Sequence, residues 1–166
     1  YLQIFYFCTA TLKKLIKFKI MPQKGIYILK KFIAIAILVL AATFIEIYWS
    51  MGTFSEKMSS GCLDCTFSQD IIFISSFTSI FFAIVSLLLS FIKNIYAKAI
   101  IEFIILILVW FFFNYSIFVD RESSWSTYTF SEELHYTFSL SIFPILVLSI
   151  PVIFSIHYIS GIIKIP

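Results

Sequence analysis

Long unbroken apolar runs alternate with short polar connections along this chain, and that alternation predicts its elements. The runs are FIAIAILVLAATFIEIYWSM (32–51), IIFISSFTSIFFAIVSLLLSFI (71–92), AIIEFIILILVWFFFNYSIFV (99–119) and a fourth over about 134–163. Each is long enough to cross a hydrocarbon layer of about 30 Å, which takes about 20 helical residues. In lipid the backbone must satisfy its own hydrogen bonds, and no run has the alternating pattern of a barrel strand. The expectation is therefore an all-α integral membrane protein with four transmembrane helices. The connections leave no room for a separate soluble domain, so consecutive helices are expected to pack antiparallel in one bundle. The first run is too long in its apolar part, and lacks the small-residue cleavage site after Trp49, to read as a secretory signal.

Composition agrees with this picture. Of the 166 residues, 61% are hydrophobic, 20% aromatic and 13% charged, against about 25% charged in an ordinary soluble domain. The net charge of +3 matters less than its distribution. Lys13, Lys14, Lys17, Lys19, Lys24, Lys30 and Lys31 precede the first run with no acid among them. The second connection adds Lys93 and Lys98, and the C-terminus adds Lys164. By contrast, the first connection carries Glu56, Asp64 and Asp70 against Lys57, and the third carries Asp120, Glu122, Glu132 and Glu133 against Arg121. Lysine bias then predicts both termini in the cytoplasm, or the matrix or stromal equivalent. With the lysines explained by topology, nothing calls for a nucleic-acid partner.

Residues 1–31 are expected to form a basic, amphipathic segment lying at the headgroups, and residues 32–163 the single transmembrane domain. A mobile basic tail is the equal alternative. Met21-Pro22 is a natural start just before the first run, which makes residues 1–20 a candidate upstream extension.

Packing cues differ between helices. Ser75, Ser79, Ala83, Ser86 and Ser90 recur at helical spacing and predict a small, weakly polar packing face, because small residues let backbones approach closely in lipid. Thr137, Ser141, Pro144, Pro151 and Ser155 fall near one face of the fourth run, where the two prolines remove backbone donors and are expected to bend the helix. The third run is bulky on every side over Ile104 to Phe113. That predicts contact with lipid or with another membrane subunit.

Candidate chemistry is sparse. GCLDC (61–65) holds two of the three cysteines. A C-x-x-C pair fits a redox dithiol, half a metal site or a short disulfide stapling a turn. Zinc needs about four ligands, Cys8 is predicted on the opposite side, and His135 is the sole histidine on the same side, so no metal is expected. Glu46 and Glu102 lie within the runs but near their ends, within reach of water or of Lys98. His157 is a weak candidate cofactor ligand and more naturally a partner at a helix end. Trp125, Tyr128 and Phe130, interleaved with hydroxyls and acids, suit a membrane interface or a protein contact. Thr129 or Ser131, followed by Glu132 and Glu133, predicts an N-terminal cap for the fourth helix.

Four helices, inward termini and a C-x-x-C in the first outer connection resemble the DsbB-type thiol oxidases of bacterial membranes. The resemblance covers the topology and GCLDC alone. It implies that Cys62 and Cys65 form a dithiol that passes electrons to a quinone. The chain departs from the family in having no second cysteine pair over 120–136, and in reading TFSQD where that family places an arginine. The leading expectation is thus a small non-catalytic accessory subunit, with lipids and other integral membrane subunits as partners and no cofactor. The alternative is a thiol–disulfide oxidoreductase using Cys62, Cys65 and a quinone.

Overall fold

A computed structural model describes residues 23–162. Four long helices, α1 (Gln23–Met51), α2 (Phe67–Leu88), α3 (Ile95–Arg121) and α4 (Phe130–Ile162), are joined through single 3₁₀ turns at Gly52–Phe54, Leu89–Phe91 and Ser123–Trp125. Each of the four is long and apolar enough to span a membrane. Of the expected interfacial segment over 1–31, residues 1–22 lie outside the described residues, as does Lys164, and residues 23–31 form the start of α1.

Every helix begins earlier than its apolar run, and the first turns explain why. Thr66 caps α2 with a reciprocal box: its hydroxyl accepts from the Gln69 amide, and Gln69 Oε1 accepts from the Thr66 amide at 3.0 Å. Asn94 Oδ1 accepts from the Tyr96 and Ala97 amides at the start of α3. At α4, Glu132 Oε2 accepts from both the amide and the hydroxyl of Thr129. At α2 and α4 a polar first turn belongs to the helix rather than to the loop; at α3 the added turn is Ile95 to Lys98. α1 starts at Gln23 instead of Phe32 because Lys24, Lys30 and Lys31, as good helix formers, continue the helix outward.

Two apolar clusters hold the helices together. The larger joins Ile35, Val39 and Ala42 of α1, Phe82 and Ala83 of α2, Leu106 and Trp110 of α3, and Ile145, Val152, Ile153 and Ile156 of α4. The smaller, nearer the first connection, joins Ile47, Met51, Phe67, Ile71, Ile117 and Phe118. α1 packs chiefly on α2 and α4, and α3 on α4. Ser75, Ser79, Ala83 and Ser86 are buried on α2, whereas Ser90 lies exposed in the following turn.

α3 departs from its reading as bulky all round. Glu102, Leu106, Trp110, Asn114, Ile117, Phe118 and Arg121 form one buried stripe, while Ile104, Leu108 and Phe112 are exposed. Four polar or hydrogen-bonding side chains mark that stripe, so it is hydrogen bonding rather than residue size that distinguishes the faces. α4 runs unbroken through Pro144 and Pro151. Ser141 and Ser155 donate to the carbonyls of Thr137 and Pro151 within it.

Candidate functional site

The described polar groups gather at three levels, and the end carrying Cys62 and Cys65 is the richest. Cys62 and Cys65 are joined by a disulfide across a Cα–Cα distance of 5.3 Å. The Cys65 amide donates to the Cys62 carbonyl, and the Cys62 amide to Ser59 Oγ, so the pair closes a tight turn. Cys62 is exposed and Cys65 half-buried.

Beneath this turn sits Arg121, only 2% exposed. Its guanidinium donates to the Lys57 carbonyl at 2.5 Å, to the Cys65 carbonyl at 3.3 Å and to Asp70 Oδ2 at 2.5 Å. It also lies 5.3 Å from the Phe67 ring centre, a cation–π distance. The adjacent Asp120 accepts at Oδ1 from Ser60 Oγ and the Gly61 amide, both at 2.9 Å, and its carbonyl accepts from the Ser60 amide. A Cβ on Gly61 would come within 3.4 Å of Asp120 Oδ1, so the close approach of the two loops is itself a constraint at that position. Trp125 Nε1 donates to the Met58 carbonyl, and Lys57 pairs with Glu122. The first and third connections are thus laced into one cap over the helix ends.

Sequence reading saw Arg121 only as a lone basic residue in an acidic loop. Its partners lie 51 to 64 residues away, and no local spacing encodes that. TFSQD lacks an arginine after the cysteines, yet the fold carries one to the Cys65 carbonyl from the end of α3.

Around the cap, Met58, Leu63, Trp125 and Phe130 are each more than half exposed. Tyr128 differs from its two sequence companions: it is half-buried, with its ring 5.7 Å from Phe118 and 5.3 Å from Tyr136. Tyr115 and Ser123 donate to the two oxygens of Glu133, tying the cap to the start of α4.

The second level lies deeper, between α1 and α3. Glu46 is fully buried rather than open to water. Its Oε1 accepts from Asn114 Nδ2 and from Ser50 Oγ, both at 2.8 Å. One turn along, Trp110 Nε1 donates to Thr43 Oγ1 at 2.9 Å.

The third level is near the opposite end. Glu102 is fully buried; its Oε1 accepts from Ser86 Oγ at 2.8 Å and lies 3.6 Å from Lys98 Nζ. His157 Nε2 stands 3.1 Å from Glu102 Oε2, a close contact whose angles fall outside hydrogen-bond geometry. The sequence anticipated the lysine but not the histidine, which arrives from α4. His157 also edges a groove of about 550 Å³ between α3 and α4, lined by Tyr96, Ala99, Ile100, Phe103 and Phe154 among others.

Among the described residues, no cluster of three or more cysteines, histidines and carboxylates is placed to hold a metal. Comparison with known protein families, curated proteins and solved structures finds no match to this chain.

Proposed function

We propose that this protein is a non-catalytic accessory subunit of a membrane protein complex, an antiparallel four-helix bundle with both termini on the lysine-rich, cytoplasmic or equivalent side. The cap carries this reading. Arg121, Asp70, Asp120, Lys57 and Glu122 are engaged with one another or with groups of the two loops, while Met58, Leu63, Trp125 and Phe130, with Glu56 and Asp64, turn outward. A fixed surface with apolar and aromatic tips suits a protein contact, where tryptophan and other aromatics contribute most. The exposed aromatic and aliphatic side chains of α2 and α3 would face lipid or the same partner. Extraction from native membranes in mild detergent tests the proposal. The wild-type chain should migrate on a native gel with other integral membrane subunits. A Trp125→Ala, Phe130→Ala double variant should migrate alone at unchanged abundance. A wild-type protein that migrates only as a monomer would remove the reading.

One observation favours a second reading. The disulfide sits at an accessible tip, with Arg121 at the Cys65 carbonyl. In that reading a partner dithiol is oxidised to a disulfide as Cys62–Cys65 is reduced to two thiols, which then give two electrons and two protons to a quinone. Acid-quenched Cys62→Ser and Cys65→Ser variants separate the two readings. A soluble partner held in a mixed disulfide by one lone cysteine, and not by the other, would favour exchange.

A further inference from the structure

Glu46 and Asn114 are joined by one hydrogen bond and left with one free atom each. Asn114 Nδ2 donates to Glu46 Oε1 at 2.8 Å, and the second atoms of the same two groups, Glu46 Oε2 and Asn114 Oδ1, are buried with no partner. An ionised carboxylate and an amide carbonyl are both acceptors. Neither can satisfy the other, and rotating the amide by half a turn would only set two oxygens face to face. Both residues are fully buried, as are Thr43 and Trp110 beside them. None of the ion pairs among the described residues includes Glu46.

Burying an anion with no counter-charge is costly, and such groups ordinarily neutralise instead. The neighbouring elements offer no counter-charge. α1 presents Thr43 and Ser50, and α3 presents Trp110. At corresponding depth α2 buries Ser75 and Thr78, and α4 buries Thr137. The charged or titratable groups next in register are already engaged: Asp70 with Arg121, and Glu133 with Tyr115 and Ser123. His135 is exposed. Arg121 is seven residues beyond Asn114, about 10 Å along the helix.

We propose that Glu46 and Asn114 form a proton-binding site, in which one proton held on Glu46 Oε2 and directed to Asn114 Oδ1 makes a neutral acid–amide pair between α1 and α3. That proton satisfies two orphaned atoms at once. Its source is water, and its loss leaves an anion that must draw in solvent, loosening the contact between α1 and α3.

Infrared spectroscopy of the purified full chain in phospholipid bilayers tests the site. At pH 7 the wild type should show the carbonyl stretch of a protonated carboxylic acid, shifted on transfer to D₂O. The band should be lost in Glu46→Gln and kept in Glu102→Gln. Absence of the band from the wild type, or its persistence in Glu46→Gln, overturns the proposal. Because Gln imitates the neutral acid, Glu46→Gln should fold, and its melting temperature should stay flat at alkaline pH where that of the wild type falls. Failure of that variant to fold would count against the site. The ¹³C carboxyl shift of Glu46 in labelled wild type gives the same answer with no variant: a protonated shift at pH 7 supports it, an ionised shift ends it.

Discussion

Arg121 and Glu102 are both buried by α3, towards opposite ends, and they are accommodated by different means. Arg121 is met by backbone carbonyls of Lys57 and Cys65 together with Asp70, all from the first connection or the start of α2. Glu102 is met only by side chains: Ser86 from α2, Lys98 from its own helix and His157 from α4. Backbone carbonyls cannot swing away without moving the loop that carries them, whereas a lysine and a serine can change rotamer. The end with the disulfide should therefore be stiff and depend on one residue, and the other end adaptable and shared among several.

The largest expected effect is at Arg121. Arg121→Met keeps bulk against Phe67 but strands Asp70 and two loop carbonyls. Removing one member of a buried pair costs about 3–5 kcal/mol, so thermal unfolding in detergent should drop markedly. Hydrogen exchange over 55–66 should rise with it. Glu102→Gln can keep its bond to Ser86 while losing charge against Lys98 and His157, and should cost about 2 kcal/mol or less. Equal losses in the two variants would erase the proposed contrast. Reduction of Cys62–Cys65 should be milder still, at most about 1–2 kcal/mol, because a very short closed loop removes little chain entropy. Asp120 and Arg121 hold the same turn independently. A loss as large as that of Arg121→Met would mean that the disulfide organises the cap. Trp125→Ala removes the bond to the Met58 carbonyl but leaves the Arg121 and Asp120 contacts in place, and should cost about 1 kcal/mol or less, far below Arg121→Met.

How far the sequence discloses these two ends follows from where their partners lie. The four helices are visible as apolar runs because hydropathy is summed over about 20 residues and tolerates error at the edges. The edge of α2 shifts because Ser68, Gln69 and Asp70 read as loop yet form a first turn under Thr66, whereas the capping role of Thr129 and Glu132 at α4 was open to view. The pairing of Lys98 with Glu102 was open to view at four-residue spacing. The meeting of His157 with Glu102, of Asn114 with Glu46 and of Arg121 with Cys65 was not. Each joins helices or connections far apart in the chain, and no local period encodes such a contact. The buried stripe of α3 could have been found by asking where Glu102, Trp110, Asn114 and Arg121 fall on one helix, since polar groups in an apolar helix seek a common face. Its bulky residues hid that signal.

Photo-cross-linking in native membranes, with a diazirine amino acid placed in turn at Leu63, Trp125 and Phe73, tests most directly whether the cap is a docking surface. Positions 63 and 125 lie on the exposed cap and position 73 on the exposed side of α2. Adducts from 63 and 125 to one and the same multi-pass membrane protein, formed in the wild-type disulfide state, are the predicted result. Lipid adducts alone at 63 and 125, matching those at 73, would contradict it and leave the cap as a surface resting on headgroups.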